Sequence, residues 1–116
     1  MHFRDHESTE IERAVTAFMQ RRRPPEAIRA ELDLEHRIDG QSLEILERRP
    51  AWQGAPGETT ELLVARATFV RSRDHWRVYW QRADLRWHRY DPVPEVRTVQ
   101  EFLDLVDEDA YCCFFG

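Results

Sequence analysis

ELDLEHRIDGQSLEILERR, Glu31 to Arg49, carries the two marks of an antiparallel β-hairpin. Leu32, Leu34, His36 and Ile38 alternate with Glu31, Asp33, Glu35 and Arg37. A period of two is the repeat of a strand with one dry and one wet face. Asp39-Gly40 follows, a dipeptide favoured in type I′ turns because both central residues there need positive φ. With that turn, Ile38 opposes Gln41, His36 opposes Leu43, Leu34 opposes Ile45, and Glu31 faces Arg48. One face becomes largely apolar and the other charged, so the register is self-consistent.

Upstream, residues 9–23 read as a helix. Thr9 with Glu12 has capping-box spacing, and Ile11, Val15, Phe18 and Met19 form one apolar stripe. Arg21-Arg22-Arg23 sits where the helix dipole favours cations. Pro24-Pro25 ends the helix by restricting the preceding backbone. Downstream, Pro50 to Thr60 reads as a loop, with Trp52 inside it as a core anchor. Leu62 to Arg71 has apolar residues in both phases, which suits an inner strand. A turn at Ser72–His75 leads to the next strand.

That strand opens WRVYWQRADLRWHRY, Trp76 to Tyr90, which holds three of the four tryptophans and two of the three tyrosines. Trp76, Val78 and Trp80 share one side, and the large apolar groups then move to odd positions at Leu85 and Trp87. A turn around Ala83–Arg86 is the favoured reading, and a bulge the alternative. Either returns Trp87 to the face of Trp80. The three tryptophans then belong to the core, and Arg77, Tyr79, Gln81, His88 and Tyr90 to the opposite face. Asp91-Pro92-Val93-Pro94 is a stiff connector. Thr98 with Glu101 starts a second helix with the stripe Val99, Phe102, Leu103 and Val106. Acids Asp107, Glu108 and Asp109 at its end oppose the dipole, so they are solvated, paired with Arg, or functional.

Strands grouped between two helices predict an α+β fold: an antiparallel four-to-five-stranded meander flanked by an N-terminal and a C-terminal helix, one domain over residues 1–116. Charge adds a functional hint. All 17 basic residues are Arg, and the net charge is −5. Residues 66–90 nevertheless hold an excess of five positive charges, and residues 91–116 an excess of six negative ones.

RRRPP (21–25), LDLEHRIDGQSLEILERRPAW (32–52), ATFVRSRDHWRVYWQRADLRWHRYDP (67–92) and VDEDAYCCFFG (106–116) together resemble a family of small bacterial proteins. It is catalogued as domain of unknown function 3024. The resemblance implies a bacterial single-domain protein and brings no activity, substrate or catalytic residue with it.

The leading functional expectation is a non-enzymatic binding module. Its Arg- and aromatic-rich surface, Arg77, Tyr79, Gln81, Arg82, Arg86, His88, Arg89 and Tyr90, would take an anionic partner, nucleic acid or an acidic protein. The alternative is a protein-interaction or self-associating module, monomer or weak homodimer, built on the apolar tail Phe114-Phe115-Gly116. A small enzyme ranks third, with His75, His88, Asp84 and Cys113 as the groups that would have to converge. No cofactor or metal is expected: Cys/His spacings for zinc are missing, and neither a phosphate loop nor a dinucleotide fingerprint is present. Adjacent cysteines, no apolar leader and no long apolar run point to the cytoplasm and away from membranes.

Overall fold

A computed structural model describes residues 2–51 and 53–115; the expectation for Trp52 lies outside them. Helix α1 spans Asp5–Arg22, strand β1 Asp33–Asp39, β2 Ser42–Pro50, β3 Thr59–Val70, β4 His75–Gln81, β5 Trp87–Arg89, β6 Glu95–Val96, and helix α2 Val99–Glu108. The expected α+β architecture is present. The first five strands form the meander β1-β2-β3-β4-β5, antiparallel throughout. The short β6 adds a sixth: it pairs with Trp76–Arg77 of β4, beside β5 on the same edge.

Both helices lie on one face of the sheet. Ile11, Ala14, Val15 and Phe18 of α1 join Val99, Phe102, Leu103 and Val106 of α2 over Leu43, Ile45, Ala65, Ala67, Trp76 and Val78. Small Ala65 and Ala67, fully buried at the sheet centre, leave room for the helices to approach the sheet. Helix α1 starts four residues earlier than the Thr9 box suggested. Arg4 is the N-cap, and its backbone N–H donates to Glu7 Oε1 at 2.7 Å, while the Thr9 hydroxyl bonds back to the Asp5 carbonyl. At α2 the expected cap holds: Thr98 Oγ1 accepts from the Glu101 N–H at 3.1 Å.

The β1–β2 hairpin forms, but its register differs from the one read at Asp39-Gly40. The two turn residues are Gly40 and Gln41, so Ile38 opposes Leu43, His36 opposes Ile45, and Asp33 opposes Arg48. Gly40 alone takes positive φ (58°). Glycine first is the arrangement of a type II′ turn, which tolerates an ordinary residue second. The shift moves the pairing by whole pleats, so each side chain keeps its face. In β3, one extra residue enters between the partners of Ile45 and Leu46. This bulge turns Val64 into the core beside Ala65, which explains why β3 showed apolar residues in both phases.

The acids that end α2 have definite partners. Asp107 lies 3.2 Å from Arg21 and 3.5 Å from Arg22, and Arg23 bonds Asp33 at 2.9 Å. The arginine triplet therefore ties α1 to α2 and to β1. Asp109 stands in the left-handed region at φ 45°, and its two oxygens accept from the N–H groups of Phe114 and Phe115, each at 2.9 Å. That clamp folds the tail inward and places Phe114 in the core against Tyr90, ring centroids 4.8 Å apart. Phe115 lies under the Arg22 guanidinium at 4.5 Å.

The Arg23 bond dominates the environment of Asp33 and holds its carboxyl below the usual range. A folded value below the unfolded one, about 3.9, means stability present at neutral pH and lost as pH falls. Asp33→Asn is therefore expected to flatten the decline in melting temperature between about pH 5 and pH 3. A pH profile parallel to that of the parent would show that the pair carries nothing.

Candidate nucleic-acid interface

The described helices do not cover the opposite sheet face, where neighbouring side chains bury Ser42, Glu44 and Leu46 and leave the β4 and β5 side chains half-buried. Residue types on it follow from the pleat: Glu35, Arg37 and Asp39 on β1, Glu44 and Leu46 on β2, Arg66 and Thr68 on β3, Arg77, Tyr79 and Gln81 on β4, Trp87 and Arg89 on β5. One row runs across five strands as Arg37–Glu44–Arg66–Tyr79–Arg89. Its two halves differ in charge balance.

On β1–β3, cations and carboxylates are matched. Arg66 Nη1 bonds the buried Glu44 at 2.6 Å, and Arg37 Nε bonds the other oxygen of Glu44 at 3.2 Å. Glu61 bridges Arg37 at 3.0 Å and Arg48 at 3.1 Å, and Arg48 also bonds Glu35. The two guanidinium groups hold the Glu61 carboxyl below its ordinary range. Three arginines and three glutamates close a neutral network.

On β4–β5 the balance fails. Of the seven arginines in residues 66–90, Arg66 is neutralised by Glu44 and Arg71 by Glu7. Arg89 reaches Glu95 at 3.5 Å, through one nitrogen. Among the described residues, Arg73, Arg77, Arg82 and Arg86 form no ion pair. Arg77 and Arg89 have buried Nε atoms without a hydrogen-bond partner, and Arg89 donates from Nη2 to the Pro94 carbonyl at 3.3 Å. The Arg89 guanidinium stands 5.8 Å over the Tyr79 ring. Half-buried Trp87 sits opposite Gln81 at the end of the face.

Three assignments from the sequence change here. Trp87 shares the open face with Tyr79 and Arg89, because the register pairs it with Gln81 and not with Trp80. The turn between them has five residues, Arg82 to Arg86, and an odd count keeps partners at the same parity. Leu85 supplied the misleading phase signal. It is a turn residue, 72% exposed at φ 59°, not part of a strand. His88 moves the other way, opposite Trp80 on the helix side, with Nε2 2.8 Å from Asp84. That bond, with the Arg86 N–H, draws the Asp84 carboxyl below its ordinary range. Tyr90 is only 2% exposed and belongs to the core, where burial pushes its phenol up. The face that remains is Arg77, Tyr79, Gln81, Trp87 and Arg89, with Arg82 and Arg86 exposed in the turn beside it. Arg82 leans over Trp80, 5.5 Å from its ring.

The groups an enzyme would need do not come together. His75 begins β4 on the open face, 3.6 Å from Glu95, while His88 lies at the other end of β4 on the other face. Cys113 sits in the tail with its thiol 3.7 Å from the Tyr111 carbonyl, and burial raises it above its usual range. Both cysteines are free. Among the described residues, three or more His, Cys, Asp or Glu side chains nowhere group as a metal site would require. None of the described helices is long and apolar enough to cross a membrane.

The fold and face define a small α+β protein with one sheet surface covered by helices and the other without them, cationic and aromatic at one end. The chain matches, over residues 3–116, the family described as Domain of unknown function (DUF3024), and it belongs to that family. Neither a curated protein nor a solved structure matches it.

Proposed function

We propose that this chain is a non-enzymatic binding module that takes single-stranded nucleic acid on the open face of β4 and β5. The observation that carries the reading is the juxtaposition of Arg77 and Arg89 with the rings of Tyr79 and Trp87, all half-buried, on the sheet face away from the helices. Single-strand binders use this combination: aromatic faces stack bases, and planar guanidinium groups grip phosphates bidentately. An acidic protein would be drawn by the same arginines, but it gives the two rings no comparable role. Two unpaired cysteines in a chain rich in charge suit a cytoplasmic protein, and the family resemblance suits a bacterial one.

The test is a fluorescence-anisotropy titration with labelled single-stranded oligonucleotides at low and moderate salt. Binding is expected at low salt, with affinity falling as salt rises because counterions are released from each neutralised phosphate. The four cations of the face and its turn, Arg77, Arg82, Arg86 and Arg89, set the scale, a log–log slope of about −3 for a single strand. No binding at low salt defeats the nucleic-acid reading. Binding of a polyglutamate peptide in its place would assign the surface to an acidic protein.

A further inference from the structure

We infer that β1 pairs with β1 of a second copy, joining two sheets into one across a twofold axis. The inference does not rest on the nucleic-acid reading, since β1 lies at the opposite edge of the sheet from β5. Its basis is the self-complementarity of the strand DLEHRID, Asp33–Asp39.

Backbone polarity comes first. Asp39 and Ser42 flank a two-residue turn and form the hydrogen-bonded pair next to it. Alternation then directs the N–H and C=O groups of Asp33, Glu35, Arg37 and Asp39 toward β2. Those of Leu34, His36 and Ile38 point away from the sheet. Leu34 agrees, because its N–H is taken by Asp33 Oδ1 at 2.8 Å. The β1–β2 alternation leaves the N–H groups of His36 and Ile38 outside the ladder, and among the described residues no turn or loop backbone group bonds to either. Residues 36–39 are exposed, so this part of the edge is accessible.

An antiparallel partner centred on His36 satisfies that edge. His36 meets its own copy in a hydrogen-bonded pair, and each Ile38 N–H meets the carbonyl of the opposite Leu34. The pairs between are of the closer, non-hydrogen-bonded kind, with Cα atoms about 4.5 Å apart. There Glu35 faces Arg37 of the second copy, twice over, which is charge complementarity written into one short strand. On the helix side, Ile38 faces Leu34. Ile38 is 46% exposed, a large apolar side chain on the core face but beyond the cover of α1. Leu34 lines an open groove of about 630 Å³ between α1 and β1, together with Val15 and Met19. The Ile38 side chain of the second copy is the occupant this groove receives. At the ends Asp33 opposes Asp39, but Arg23 lies 2.9 Å from the one and Arg66 3.8 Å from the other. Both bare faces then point the same way, and so do both pairs of helices.

Sedimentation equilibrium of the full chain across a wide concentration range tests the pairing. The parent is expected to form a concentration-dependent dimer. His36→Pro removes an N–H that the β1–β2 pairing does not use, at an edge position that accepts proline. It is expected to weaken the dimer at least about thirtyfold, the effect of two lost hydrogen bonds, while the circular dichroism of the monomer stays unchanged. Ile38→Lys is expected to do the same without touching the backbone, and covers the case in which the proline variant fails to fold. A parent that stays monomeric at NMR concentrations overturns the inference. So does a dimer that Ile38→Lys leaves intact.

Discussion

Phe114→Ala is expected to destabilise the folded monomer by about 3–5 kcal/mol, the usual cost of deleting a buried phenylalanine ring. Phe114 is 7% exposed and stacks on Tyr90, itself part of the core. Its position is imposed by the Asp109 carboxylate, which accepts from the two adjacent N–H groups. Asp109→Ala therefore acts in the same direction, through loss of charge-assisted hydrogen bonds. Urea denaturation would show the effect as a lower midpoint at constant slope. The result also judges the tail-docking alternative. A tail waiting for a partner can be truncated at little cost, so a loss below about 1 kcal/mol, typical of surface substitutions, would restore that alternative.

The tail illustrates what a sequence shows and what it hides. Apolar AYCCFFG after three acids was legible as either a docking segment or a last piece of core. The choice turned on Asp109 bonding forward to Phe114 and Phe115, a side-chain-to-backbone contact that no periodicity encodes. The helices and meander were legible because their apolar residues repeat at fixed intervals over many residues. The β1–β2 pairing was legible in its face and not in its register, since Asp39-Gly40 and Gly40-Gln41 are both workable turns. The local charge excess was visible, but its location was not. Glu44, about twenty residues upstream, neutralises Arg66, and Glu7 neutralises Arg71. What remains lies on β4, β5 and the turn joining them, plus Arg73. The largest change concerns Trp87, because one apolar turn residue, Leu85, imitated the phase of a strand.

Trp87→Ala is accordingly expected to weaken single-strand binding by about five- to 150-fold, since a stacked base is worth about 1–3 kcal/mol. Tyr79→Ala, one strand away on the same face, belongs to the same range. Arg77→Gln should act differently. It removes one phosphate contact, so the log–log salt slope should flatten by about 0.7 while affinity falls for every oligonucleotide alike. His88→Ala is the internal control, because His88 lies across the sheet beside Trp80, bonded to Asp84. It should leave binding unchanged. Iodide quenching gives a readout that needs no binding: Trp87→Phe should remove a quenchable component of the fluorescence, whereas Trp76→Phe should not, because Trp76 is 6% exposed. If His88→Ala weakens binding while Trp87→Ala does not, the strand pairing Gln81 with Trp87 is mistaken and the aromatic face must be redrawn around Trp80. If all four variants bind as the parent does, the sheet face is not the site.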